Sequence, residues 1–510
     1  MLAWASVLVV VALAVRTFWL SAAYFLRLPG SGRFRVESAA FLFVAVGLLV
    51  RLLINNGRET SPSAPAATPT QTLPVWTWAI FWILALALYW STLSIGLLSD
   101  DFILVGRAAR WDFTPVTAML FRPVPLFFWA LLLHAGGTPT VLHVLSVTLH
   151  ATNAYLTCRV VEPWVQDRRW IICAGLLFLV SPLAPEAVAW CSGVFDVMAT
   201  MFVLLMVIVG RRYDERPDWG SRCALYACAA GAVLSKETGA IGGALVLVDA
   251  WARGRVSRPL IRDIGVLFGL IGVFSALRLA PLLGSARLSI GWYQIQRGIF
   301  GIVGALAEPW HDELSAAHPW IPIVSALLVL SLTAAYFLRR PPARSLPLAV
   351  AAVLVIALSI VPVWPLFFVA PDLRGARYAY LAAVGWAALI AITASSFEDR
   401  APQQIWSSAA VAGLLVMSSF GLVTHLEPWR DAARLRDQIE AAVRSSAQGC
   451  RELTISALPD EVRGAYVFQN GVREAFARDL RVTVTSGDAQ GCVFRWTDGR
   501  LVSQVSKTAP

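Results

Sequence analysis

Apolar stretches of about 14 to 25 residues recur from the start of the chain to residue 424, parted by short charged connectors. A helix that crosses the hydrocarbon core needs about 20 such residues, so this rhythm decides the fold class before any motif is read. Candidate spans fall at 2–26, 37–55, 75–97, 139–160, 170–184, 190–209, 222–236, 238–251, 263–283, 319–338, 346–369, 376–393 and 405–424. They predict an all-α polytopic membrane protein with about eleven core spans behind two N-terminal ones. Charged residues make up 15 % of the sequence, well below the roughly 25 % of a soluble domain. Trp and Phe often sit near the ends of the runs, as interfacial anchors do.

The net charge of +10 lies in short Arg-rich connectors, such as Arg253, Arg255, Arg258 and Arg262, or Arg339, Arg340 and Arg344. That is the positive-inside pattern, and it points to anionic membrane lipids as partners rather than to nucleic acid. Placing 161–170, 210–221, 252–262, 339–345 and 394–404 inside puts 98–138, 185–189, 284–318, 370–375 and the tail outside. The first run lacks a basic leader and a cleavage site, so it reads as a retained membrane segment. Residues 1–58 form an accessory hairpin and 59–74 a Pro-, Ser-, Ala- and Thr-rich linker. The core then covers 75–429, with 120–134 and 292–308 as amphipathic segments suited to the interface. Residues 430–510 change to soluble composition and predict a small outer α/β domain, with an Asp-Gly turn at 498–499. Cys450 and Cys492 are the tail's two cysteines, and an oxidising compartment would let them pair.

Residues able to do chemistry collect on the outer face. Asp100 and Asp101 end the third span. They either meet water there or supply a carboxylate that takes a proton from an acceptor hydroxyl. Arg122 opens the 120–134 segment, Lys236 and Glu237 lie in Ser-Lys-Glu-Thr-Gly, and Arg374 and Arg377 flank the start of a span. A phosphate leaving group needs fixed cations of this kind. Arg at a span end also suits snorkelling to headgroups, and Lys236 could pair with Glu237. Glu186 sits at another outer turn, and a continuous helix would carry Asp196 about 15 Å deeper. His143 and His150 share one helix face, where hydrogen bonds between helices are the commoner role. The sequence has no His-Glu-x-x-His, Walker or Cys-x-x-Cys motif, and no cofactor is called for, while a divalent metal stays compatible with the carboxylates.

These elements recur in an order that resembles the GT-C superfamily of membrane glycosyltransferases, nearest to its transmembrane protein O-mannosyltransferase branch. The order is Asp100–Asp101, Phe-Arg-Pro-Val at 121–124, Leu-His-Val-Leu-Ser-Val-Thr-Leu-His-Ala at 142–151, and Ser-Pro-Leu-Ala-Pro-Glu-Ala-Val-Ala at 181–189. Ser-Lys-Glu-Thr-Gly at 235–239 and Arg-Tyr-Ala-Tyr at 377–380 complete it. The resemblance implies a GT-C-like bundle and inverting transfer of a sugar from a polyprenyl phosphate, undecaprenyl or dolichyl, on the outer face. Asp100 would be the catalytic carboxylate and Asp101 its neighbour in the acceptor site. Arg122, Lys236, Arg374 and Arg377 would hold the donor phosphate, with Glu186, Glu237, His143 and His150 in support. The acceptor would be a protein, glycan or lipid. In a bacterium the location would be the inner membrane, with the site facing the periplasm. The sequence departs from the branch at Ser181 and Ala184, where histidines are usual, at Val194 in place of an arginine, and in having no tetratricopeptide repeats. A transporter or flippase, or an O-antigen ligase-like enzyme, is the alternative class.

Overall fold

The computed structural model describes residues 73–504 apart from 116–120, 284–300, 303, 307, 339–344, 363–368, 398–400, 447–451, 477–480, 483–491 and 498. The N-terminal hairpin, nearly all of the linker, the start of the 292–308 segment and the Cys450–Cys492 pairing therefore lie outside the described residues.

Apolar runs become helices. Cys191–Glu215, Arg258–Leu277 and Pro402–Ser446 are each long and apolar enough to cross a membrane. Trp76–Thr92, Pro123–His134, Trp320–Tyr336, Ser345–Ile360 and Ala382–Ser395 are shorter apolar helices. Their outer faces carry bare hydrocarbon, with Leu277 72 % exposed and Val416 69 %. Such a belt would be an aggregation surface in water and is the normal surface in lipid. Trp76 and Trp90 stand exposed beside the two ends of one helix, and Trp219 and Trp320 at the starts of two others, where indole rings anchor at headgroup level. The chain is an integral membrane protein.

The Val194–Glu215 helix is the axis of the bundle and packs against Pro139–Val161, Trp219–Ser235 and Gly242–Ala252. A second pair, Ser345–Ile360 and Ala382–Ser395, closes on Arg168–Leu179. Lipid provides no hydrophobic drive between helices, so close contact does the work, and small residues allow it. Ala382, Ala383, Ala387, Ala388, Ala391 and Ala394 are all buried, and a Cβ on Gly385 would lie 2.7 Å from the Ala352 carbonyl oxygen.

At one end of the axis Arg211, Arg222, Arg253 and Arg262 are tied down. Asp249 accepts from Arg211, Arg253 and Trp164 Nε1, while Asp263 accepts from Tyr213, Arg222 and Arg262. The opposite end holds the turns at 98–101, 185–193 and 370–375 and the tail. Leu426 alone parts the Ala401–His425 helix from the charged Glu427–Ser446 helix, which starts three residues before the change of composition at 430. Beyond it lie β1 (Glu452–Ser456), β2 (Glu461–Val462), β3 (Ala465–Tyr466), β4 (Arg481–Val482), β5 (Cys492–Thr497) and β6 (Arg500–Gln504). The sheet runs β4-β1-β5-β6, with β1 parallel to both neighbours and β5 and β6 antiparallel, Thr497 pairing with Arg500. β2 and β3 form a separate small hairpin, and the short Val472–Phe476 helix follows it.

Candidate functional site

The turn after the first described helix sets the geometry. Ser99 adopts φ 50°, ψ −118°, a conformation that residues other than glycine seldom occupy. Asp100 and Asp101 then open the Asp100–Ala108 helix, whose N-terminal dipole favours carboxylates. The two acids face different partners. Asp101 is fully buried: its Oδ2 accepts the Leu98 N–H at 2.9 Å, and its Oδ1 accepts the Ser192 N–H at 2.8 Å and the Ser192 hydroxyl. Burial pushes its carboxyl up to about 7, with the Ser192 and Leu98 donors opposing the rise. Asp100 stays partly exposed and accepts from Asn470 Nδ2 at 2.6 Å.

The second element is the segment that carries Glu186 and Asp196. A continuous helix would separate them by about 15 Å, and the chain avoids that helix. Pro185–Ala189 is a short helix, Trp190 is extended, Cys191–Gly193 is a 3₁₀ turn, and the long helix begins at Val194. A Cβ on Gly193 would lie 2.3 Å from the Ala187 carbonyl oxygen, so the doubling back needs glycine. Both acids therefore reach Arg377. Its Nη1 lies 2.5 Å from Glu186 Oε1, its backbone N–H donates to Glu186 Oε2 at 3.1 Å, and its Nε is 4.0 Å from Asp196 Oδ2. Burial raises the Glu186 carboxyl above its ordinary range, and the Arg377 charge opposes that.

Lys236 and Arg122 extend the row. Lys236 Nζ lies 2.5 Å from Asp196 Oδ1, so its partner is Asp196 and not the adjacent Glu237. Glu237 instead takes the Arg122 fork, with Nε at 3.1 Å and Nη2 at 2.7 Å from Oε2. The pairs are graded from closed to open: the Lys236 side chain is 5 % exposed, Arg377 15 %, and Arg122 22 % with Glu237 at 40 %. Each cation also lies on aromatic faces. Lys236 is 4.9 Å from the Tyr378 ring, Arg122 5.6 Å from Phe195, and Arg377 4.7 Å from Trp190, 4.9 Å from Tyr378 and 5.6 Å from Tyr466. Ring quadrupoles hold cations in place without neutralising them. Trp190 also joins this row to the acidic turn, because its Nε1 donates to the Leu98 carbonyl at 3.1 Å.

Three of the four expected cations thus come together and the fourth does not. Arg374 pairs with Glu461 on β2 and ties the tail to the 370–375 loop. His143 Nε2 donates to the Gly96 carbonyl at 2.9 Å. His150 bridges helices, donating through Nε2 to the Leu179 carbonyl at 3.0 Å and accepting at Nδ1 from the Tyr380 hydroxyl at 2.7 Å. Among the described residues no group of three or more His, Cys, Asp or Glu could hold a metal ion. Sequence reasoning missed Trp190, Tyr466 and Asn470, and a continuous helix would have set Asp196 about 15 Å deeper than Glu186. Tyr378 lay inside a quoted motif with no role attached. For Tyr466 and Asn470 no local signal exists, since the hydrogen bonds to Glu186 and Asp100 span 280 and 370 residues of chain.

No family model matches the chain. Protein O-mannosyl-transferase Tmtc1 of Drosophila melanogaster is 31 % identical over 174 residues, which is 30 % of this chain and 20 % of the relative. Protein O-mannosyl-transferase TMTC2 of Mus musculus is 31 % identical over 185 residues, 31 % of this chain and 22 % of the relative. The chain thus spans about a fifth of the length of these curated relatives. Arabinofuranosyltransferase AftD from Mycobacteria aligns with 82 % of the chain and 33 % of its own length, at 13 % identity and a TM-score of 0.48. Arabinosyltransferase EmbB from Mycobacterium smegmatis aligns with 81 % and 46 %, at 14 % identity and a TM-score of 0.39. Over nearly a third of its length, then, this membrane chain is similar to protein O-mannosyl-transferases, the branch its motifs resemble.

Proposed function

We propose that the chain is an inverting membrane glycosyltransferase with a GT-C-like bundle of about eleven core spans, transferring a sugar from a polyprenyl phosphate to a hydroxyl on the extracytoplasmic face. The observation that carries this reading is the row Arg122–Glu237, Lys236–Asp196, Arg377–Glu186, laid on aromatic rings and joined through Trp190 to the turn that presents Asp100. In one displacement the acceptor oxygen attacks the anomeric carbon, Asp100 takes the hydroxyl proton, and the bond from that carbon to the phosphate oxygen breaks. The electron pair leaves with the phosphate. Its growing charge is met by Arg122, Lys236 and Arg377, fixed in a poorly solvated site where such stabilisation is strongest. Asp101 anchors the turn to Ser192, Glu186 and Asp196 keep the buried cations paired before the donor arrives, and Arg374 serves the tail. His143 and His150 hold the surrounding helices. The similarity to O-mannosyl-transferases supports mannose as the first sugar to try, with protein, glycan and lipid acceptors as the classes to compare.

Asp100→Asn keeps size and most hydrogen bonding while removing proton acceptance. In lipid nanodiscs, with undecaprenyl phosphate mannose as donor and water or a soluble mannoside as acceptor, it should lower turnover by about 10²–10⁴-fold with donor saturation unchanged. Near-native turnover would remove Asp100 as the base.

A further inference from the structure

We infer that the tail segment 459–471 is part of the transfer site, and that Asn470 is a positioning residue for Asp100. This rests on reading Asp100 as the base. The strained residue of the acidic turn, Ser99, is gripped from the tail on two sides, while its own carbonyl accepts the Phe102 N–H at 3.2 Å. Its N–H donates to the Val467 carbonyl at 2.9 Å, and its hydroxyl oxygen accepts the Asn470 N–H at 3.2 Å. A backbone conformation of that kind persists only where its surroundings over-determine it. The same asparagine then takes Asp100 Oδ1 through Nδ2 at 2.6 Å, which fixes the carboxylate's rotation.

The neighbouring residues show that the approach is built in. Gly471 has φ +75°, and a Cβ there would lie 2.6 Å from the Ser99 carbonyl oxygen, so the tail can come this close only with glycine. Tyr466, on β3, packs at 4.8 Å from Trp190 and closes the aromatic surround of Arg377. One tail segment therefore finishes both halves of the site: it orients the base and walls the cation row. The charged groups around this turn are Asp101, Arg436, whose Nη1 donates to the Ile95 and Leu97 carbonyls at 2.7 Å each, and Arg473 and Glu474 on the Val472–Phe476 helix that packs against Asp100–Ala108.

The test uses the full chain in nanodiscs with the same undecaprenyl phosphate mannose. Asn470 is exposed on its outer side, so substitutions there are compatible with folding. Asn470→Ala frees the Asp100 carboxylate to rotate, and turnover should fall about 10- to 100-fold with the donor KM within about twofold. Asn470→Asp sets a second carboxylate against Asp100. The two would share a proton, so the acid limb of the pH–rate profile should move up by about one unit or more. Unchanged turnover in Asn470→Ala and an unmoved profile in Asn470→Asp, with Asp100→Asn inactive, would overturn the inference and leave the base standing. A fall in turnover that tracks a fall in thermal midpoint, with the profile unmoved, would overturn it too. An active Asp100→Asn would locate the error in the base itself.

Discussion

The Val194–Glu215 helix carries a charged cluster at each end, and the two are built on different plans. At its C-terminal end the carboxylates are shared. Asp249 serves Arg211, Arg253 and Trp164, and Arg211 goes on to cap the Arg159 and Val160 carbonyls. Asp214 adds an acceptor for the Ser257 N–H at 2.9 Å and lies 3.7 Å from Arg253. Each of these carboxylates has more than one partner, so the loss of one leaves others in place. At the N-terminal end each cation has one close carboxylate and lies against aromatic rings. A pair of that kind can exchange its carboxylate for a phosphate while the ring keeps the cation in place. The shared network is a clamp, and the row of single pairs is what the proposed function reads as a receptor.

The comparison breaks most visibly when one cation is removed from each end. Arg377→Met leaves Glu186 buried with Tyr466 as its remaining side-chain partner, and stripping a buried pair typically costs about 3–5 kcal/mol. Arg211→Met leaves Asp249 with Trp164 and Arg253, so its loss should stay near 1–3 kcal/mol. Thermal midpoints in detergent compare the two directly. Equal losses would show that redundancy does not set the ends apart.

A smaller effect tests the anchor beside the row. The Asp101 carboxyl holds its proton up to about pH 7 in the folded chain, against 3.8 for the ordinary side chain. Between those values the folded state binds the extra proton, so its contribution to stability falls as pH rises through about 4 to 7. Asp101→Asn should flatten that part of the curve of thermal midpoint against pH. An unchanged slope would mean that Asp101 is already ionised throughout.

How far this could be read in advance depended on the kind of signal. The helices are written in apolar runs, and two of the five basic connectors, 210–221 and 252–262, meet at one end, where Arg211, Arg222, Arg253 and Arg262 share Asp249 and Asp263. Arg122, Lys236 and Arg377 were legible because charge at the end of a span has few uses. Their partners were not legible. Pairing Asp196 with Lys236 requires the break at Trp190–Gly193, and in the sequence only Cys-Ser-Gly between two apolar runs hints at it. Arg374 looks like Arg377 in one dimension, yet three residues turn it toward Glu461. Tyr466 and Asn470 come from a tail whose composition says soluble domain, and no periodicity can reveal a contact made across 370 residues.

The central claim is that the N-terminal end of this helix receives a lipid phosphate, and direct binding tests it without any acceptor. Undecaprenyl phosphate would be titrated against the full chain in nanodiscs, comparing wild type, Arg122→Gln and Arg211→Gln. Arg122 is the most open of the three cations, so its loss should leave the fold intact, with a stability change below about 1 kcal/mol. The expected result is saturable binding in wild type, at least tenfold weaker binding in Arg122→Gln, and binding within about twofold of wild type in Arg211→Gln, tenfold being about 1.4 kcal/mol. Equal affinity in Arg122→Gln and wild type, or a loss confined to Arg211→Gln, would contradict it.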